Sequence, residues 1–166
     1  MKVFKASYQY PIGKLNIYSN NKYLLSLSIN KEENLNIRNN QITLYENEII
    51  YNTKKQLDAY FKGNLQKFDL PIYIEGTDKK KKVLNKLIEN VNFGSCISYS
   101  ELANLSDLKN GARFVGNVLS KNQILIIIPC HRVINKDGTI GGFNSEYTIK
   151  SKLINLEKEF NHEVIH

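Results

Sequence analysis

The sequence predicts an α+β fold: a small N-terminal antiparallel sheet with a helix, then a mostly α-helical C-terminal part holding a helix-turn-helix. Three observations lead there. Residues 3–29 carry short alternating segments rich in aromatic and branched side chains, broken by turn residues, the mark of strands and tight hairpins. Residues 48–61, 78–91 and 147–160 instead space their apolar positions by three and four, the helical repeat. Two shorter helical segments, 101–105 and 111–119, flank a polar turn on a basic chain, which suggests a helix-turn-helix.

In order, residues 3–10 read as a first strand, and Pro11-Ile12-Gly13 as a turn. Residues 15–19 and 23–29 read as further strands joined through Asn20-Asn21-Lys22, because Asn tolerates positive φ in tight connections. Residues 31–40 are polar and read as loop. Ile49, Leu57, Tyr60 and Phe61 line one face of a helix over 48–61, closed by Lys62-Gly63-Asn64, as a glycine C-cap would close it. Phe68-Asp69-Leu70-Pro71 leads out, and a linker is expected over 73–77. The expected domains are therefore 1–77 and 78–166.

In the second part, Val83, Leu84, Leu87, Ile88 and Val91 share a face, and Phe93-Gly94 ends that helix. The opening Lys79–Lys82 run reads as a solvated face, with contact to phosphate as the lesser alternative. Ser98 or Ser100 is the expected cap of the helix at 101–105. Val115, Val118 and Leu119 form the inner face of the segment at 111–119. Asp137-Gly138 and Gly141-Gly142 mark turns. The last helix turns Ile149, Leu153, Ile154 and Leu156 inward.

With 166 residues, 42% apolar and 23% charged, the chain has ample length and an ordinary soluble composition for a real core. A net charge of +7 favours an anionic partner, nucleic acid before a membrane surface. Two cysteines, Cys96 and Cys130, make no disulfide framework, and three scattered histidines suggest no metal site. No run reaches the length needed to span a bilayer. The N-terminal MKVFKASYQY lacks the apolar stretch of a signal peptide. A reducing, cytoplasmic setting is expected.

The stretch NQILIIIPCHRVI, residues 122–134, concentrates the chemistry. Its branched apolar run at 124–128 reads as a buried extended segment or a buried helix turn, and Pro129 stops it. Cys130, His131 and Arg132 follow, a nucleophile, a base and a cation at the end of a buried segment. Neighbouring residues in an extended chain point to opposite faces. His131 therefore needs a sharp turn after Pro129, or a bridging water, to serve Cys130. On these residues alone two descriptions stand: a structural thiol beside a surface histidine, or a poised nucleophile.

The string Pro129-Cys130-His131-Arg132-Val133 resembles the active-site motif of the O(6)-alkylguanine-DNA alkyltransferases, which move an alkyl group from guanine in DNA onto their own cysteine. The resemblance extends through Tyr10-Pro11-Ile12-Gly13-Lys14-Leu15, the segment Gln56-Leu57-Asp58-Ala59-Tyr60-Phe61-Lys62-Gly63, Phe93-Gly94, Ile97-Ser98-Tyr99, Ala112-Arg113-Phe114-Val115-Gly116 and Asn122. It implies that Cys130 is the acceptor, that His131 deprotonates it through a water, and that Glu157 holds His131. It implies that Asn122 braces the site and that Tyr99 assists nucleotide rotation and donates to the leaving guanine. Arg113 would fill the gap left by the flipped base, with Ala112, Phe114 and Asn117 on the same DNA-binding helix. Pro129, Val133, Phe143 and Asn144 would form the guanine pocket. No cofactor is implied. The implied partner is double-stranded DNA entered through the minor groove, with no membrane partner, and a monomer is expected.

The chain departs from the family pattern at several positions. Phe114 stands where a small residue is usual, Gln123 and Leu125 where prolines are common, Lys79 for an aromatic, and Phe143 for a frequent tyrosine. Three rival readings remain: a lesion-binding relative, a sequence-reading regulator and a thiol hydrolase. Cys130 argues against the first. The paucity of base-reading side chains beside Arg113 weakens the second, and the lack of an evident oxyanion-hole motif weakens the third.

Overall fold

A computed structural model describes residues 2–33, 41–140 and 145–164, without the side chains of 145–147 and 162–164. The chain forms two compact units, Met1–Ile74 with Gln123–Ile127, and Glu75–Asn122 with Ile128–His166.

The first unit is a four-stranded sheet in the order β3-β2-β1-β4. Strands β1 (Lys2–Tyr10), β2 (Gly13–Ser19) and β3 (Leu24–Ile29) form the expected antiparallel meander. A fourth strand, β4 (Gln41–Leu44), was not expected from the sequence; it lies parallel to β1. Its four residues are too few for alternation to show in the sequence. Helix α1 runs Glu48–Phe61 as predicted, capped by Asn47, whose side chain accepts from the Ile50 N–H. Leu15, Ile17, Leu24, Leu27, Ile50, Leu57 and Tyr60 are fully buried and make this unit's core. The Tyr10 hydroxyl donates to Asp58 on α1 at 2.8 Å, fastening the helix to β1.

The apolar run after Asn122 corrects an expectation. Ile124 and Ile126–Ile128 are buried as expected, but the run is neither one extended segment nor a helix turn. Ile124 makes a single parallel bridge with Leu27, whose N–H donates to the Gln123 carbonyl and whose carbonyl accepts from Leu125. The chain then turns tightly at Ile126, with φ of 70° and the Ile127 N–H returning to the Leu125 carbonyl. Positive φ in a β-branched residue costs roughly 1–3 kcal/mol and persists only where its surroundings enforce it. The flanking bonds to Leu27 and the burial of Ile126 supply that enforcement.

The second unit is mainly helical. It holds α2 (Asp78–Asn90), α3 (Tyr99–Leu105), α4 (Ala112–Ser120) and α5 (Ser145–Val164). Thr77 caps α2 and Ser98 caps α3 through their hydroxyls. Asp107 and Asn110 take positive φ in the turn between α3 and α4, which short polar side chains tolerate. A two-residue parallel pair joins β5 (Ile97–Ser98) to β6 (Val133–Ile134). It is the device that brings the start of α3 to the segment after His131. Leu153 and Ile154 of α5 are buried with Val83, Leu84, Leu87, Leu102, Val115 and Val133. No helix among the described residues is long and apolar enough to cross a membrane.

Candidate active site

Pro129 lies at φ −81°, ψ 62°, and the Cys130 N–H donates across it to the Ile128 carbonyl at 2.8 Å. Cys130–Arg132 then forms one 3-10 turn, with the Arg132 N–H on the Pro129 carbonyl. This is the sharp turn that an extended reading lacked. Three residues per turn separate successive side chains by about 120° instead of 180°. Cys130 is left half-buried while His131 and Arg132 are buried.

The buried pair closes on one carboxylate of α5. His131 Nε2 lies 2.7 Å from Glu157 Oε1. Arg132 forks onto the same group, Nε to Oε2 at 3.0 Å and Nη2 to Oε1 at 2.9 Å. Its Nη1 donates to the Val91 carbonyl at 2.9 Å. The Gly94 N–H reaches Glu157 Oε2 at 3.3 Å. Gly94 sits at φ +83°, and a Cβ there would meet the Asn161 side chain at 2.7 Å. Glycine at this point permits both the turn and the approach to α5.

The carboxylate only accepts hydrogen bonds, so His131 Nε2 carries the proton and donates it. Nδ1 then bears the imidazole lone pair. Among the described residues it is buried with no hydrogen-bond partner, an arrangement that leaves one directed proton acceptor in the site. Burial holds the His131 pKa below its ordinary value; Glu157 opposes this, while Arg132 and Lys150 reinforce it. Burial alone would raise the Glu157 pKa, yet the bonds and charges of His131 and Arg132 overcome it and bring it down to about 2. At neutral pH the site thus holds a carboxylate, a guanidinium and a neutral imidazole.

Tyr99 opens α3 directly after β5, so the β5–β6 pair carries it towards the turn at Cys130. Its hydroxyl accepts from Lys150 Nζ of α5 at 3.3 Å. Asn122 Nδ2 donates to the Ile128 carbonyl at 3.0 Å, bracing the backbone two residues before Cys130. An open cleft of about 470 Å³ is lined by Tyr99, Ser100, Ala112, Arg113, Gly116, Asn135 and Lys136. Helix α4 buries Val115, Val118 and Leu119 and exposes Arg113 and Asn117. Phe114 turns away from that exposed stripe and is half-buried, with Lys79 Nζ 5.4 Å from its ring centre.

The structure thus draws Cys130, His131, Glu157 and Asn122 around one turn, and Tyr99, Ala112 and Arg113 around one cleft. Pro129 and Val133 are buried beside the turn and do not line the cleft. Phe143 and Asn144 lie outside the described residues. Sequence reasoning missed Lys150, Asn135 and Lys136, and saw Arg132 only as a nearby cation. Arg132 carried a usable signal, since a charge adjoining a buried histidine needs an anionic partner. Lys150 carried none, because its partner is 51 residues away.

Comparison with known proteins agrees with this geometry. Residues 78–159 match the family described as 6-O-methylguanine DNA methyltransferase, DNA binding domain, and residues 3–74 match its ribonuclease-like domain. A methylated-DNA–protein-cysteine methyltransferase of Methanosarcina barkeri is 38% identical over 150 residues, covering 89% of this chain and 92% of its own. The crystal structure of the Mycobacterium tuberculosis O6-methylguanine methyltransferase superposes with a TM-score of 0.84 at 30% identity, covering 95% and 93% of the two chains. The same organism's protein in complex with DNA gives 0.83 at 29% identity, covering 96% and 94%. With both halves of the chain matched in order and a relative aligned almost end to end, this protein belongs to the 6-O-methylguanine DNA methyltransferase family.

Proposed function

We propose that the protein repairs DNA by transferring a methyl or other alkyl group from O6 of guanine to Cys130, once per molecule. The observation that carries the reading is the buried Nδ1 of His131, unpartnered among the described residues, next in the chain to the half-buried cysteine, with Nε2 held by Glu157. The Cys130 thiol gives its proton, through one water, to His131 Nδ1. The thiolate attacks the saturated carbon on O6; the sulfur–carbon bond forms as the carbon–oxygen bond breaks. The leaving guanine takes a proton from the Tyr99 hydroxyl, which accepts a hydrogen bond from the Lys150 ammonium. Glu157 stabilises the imidazolium through a charge-assisted bond. Nothing returns the thioether to a free thiol, so the reaction stops after one turnover.

The target carbon lies inside a duplex, so the nucleotide must leave the stack. The exposed stripe of α4 is the element for this, entering the minor groove with Arg113 filling the gap and Asn117 against the backbone. Residues 78–166 act as the DNA-binding and acceptor domain, residues 1–77 as the N-terminal domain, and the working form is a cytoplasmic monomer. The backbone carbonyls of Cys130 and Val133 read the guanine amino group.

Intact-protein mass spectrometry after incubation with O6-methylguanine DNA tests the reading. One methyl group per protein, mapped to Cys130, is expected, and Cys130→Ala should accept none while still binding duplex. A methyl on Cys96, or steady multiple turnover, would overturn it.

A further inference from the structure

The lysine run at the start of α2 is divided by the structure into side chains with different surroundings. Lys82 pairs with Asp107 at 2.7 Å. The Lys80 stem folds over Gly76, where a Cβ would lie 2.6 Å from its Cδ. Lys79 is placed against α4, its ammonium over the Phe114 ring. On the cleft side, Lys136 is exposed in the turn after β6, beside Ala112, Arg113 and Gly116. Its neighbour Asp137 is held within the exposed turn, accepting from the Thr139 N–H and hydroxyl.

The helical repeat relates these two lysines. At about 100° per residue, Ala112 and Gly116 fall on one side of the Arg113–Asn117 stripe and Phe114 on the other. Lys136 therefore borders the first flank of α4 and Lys79 the second. A helix lying in a DNA groove has a sugar-phosphate backbone along each flank, and an ammonium is a compact point charge suited to phosphate oxygens. We propose that Lys79 and Lys136 form a two-sided phosphate clamp, each gripping a different strand of the duplex that α4 enters. The inference rests on α4 being the DNA-entering helix. It also gives Phe114 a purpose: the aromatic ring, in place of a small residue, holds the Lys79 ammonium at the groove edge, where an aromatic residue at position 79 would offer no charge.

The experiment measures binding of unmodified duplex against salt for wild type, Lys79→Gln, Lys136→Gln and the double variant. Each single change should lower the logarithmic salt slope by about 0.9, and the double by about 1.8, because each removes one neutralised phosphate. Duplexes carrying uncharged methylphosphonate linkages then locate the contacts. Linkages that erase the Lys79→Gln defect should lie on one strand, and those that erase the Lys136→Gln defect on the other. An unchanged slope for either lysine, or both defects erased on the same strand, overturns the clamp. Asn117→Glu separates the two levels of inference. If it loses binding while the lysine variants keep the wild-type slope, only the clamp falls. If it binds as wild type does, the role of α4 falls and the clamp with it. Both lysines are exposed, so melting curves should match wild type and folding does not confound the comparison.

Discussion

Glu157→Gln is the most revealing single change, because one carboxylate serves at least four donors among the described residues. A glutamine amide offers one accepting edge and one donating edge. If its oxygen faces His131 and Arg132 Nη2, its NH2 faces Arg132 Nε and the Gly94 N–H, donor against donor. If the amide is reversed, its NH2 faces His131 Nε2, which must then accept. The imidazole proton moves to Nδ1, and the base that should receive the Cys130 proton is lost. Either orientation leaves Arg132 a buried cation without an anion, a loss worth about 3–5 kcal/mol of stability. Transfer should fall by roughly 100-fold or more, the ordinary worth of a positioned base. Affinity for unmodified duplex should stay within about twofold, because phosphate contacts do not use Glu157. Single-turnover transfer from O6-methylguanine duplex, run well below the variant's melting temperature and beside a binding titration, measures both. Transfer within about threefold of wild type in the folded variant would refute the assignment of Glu157.

Acid should destabilise the protein in two stages. The His131 pKa is depressed, so the unfolded chain takes up a proton first and stability falls as pH drops below 6.5. The Glu157 pKa is also depressed, so its contribution, roughly 3 kcal/mol, is present above 4.5 and lost as pH falls towards about 2; urea melts across pH 3–8 should show stability declining only on the acid side, and a maximum below pH 6 would contradict both. Asn122→Ala removes the bond to the Ile128 carbonyl, so a loss of about 1 kcal/mol and slower transfer at unchanged duplex affinity are expected from melts and single-turnover rates. Arg113→Ala should slow transfer from duplex DNA more than transfer from the free modified base, which needs no flipping; equal losses would mean that Arg113 supports the pocket.

Much of the fold was legible because local rules dominate it. The 48–61 helix emerged with its predicted bounds, since apolar spacing and a Lys-Gly-Asn terminus are both local signals. Ser98 and Ser100 were equally good caps on paper; the β5–β6 pair, invisible in two-residue segments, settled on Ser98. Strand β4 escaped for the same reason. The run at 124–128 misled because unbroken apolar residues report burial without reporting conformation. Its turn at Ile126 is imposed by pairing with Leu27, almost 100 residues earlier.

The site divides along the same line. The sequence by itself determined the chemistry available: a cysteine, a histidine and an arginine in succession after a proline, a glutamate on the last amphipathic helix, and a basic chain suited to DNA. Adjacency in the chain cannot say which atoms meet. Only the tertiary structure decided that the chain turns at Pro129, that Glu157 serves His131 and Arg132 together, and that Lys150 rather than a closer lysine reaches Tyr99. These contacts join residues 25 to 51 positions apart. Their selection depends on helix packing and on the need to satisfy buried charge, which act in space and leave no periodic trace along the chain.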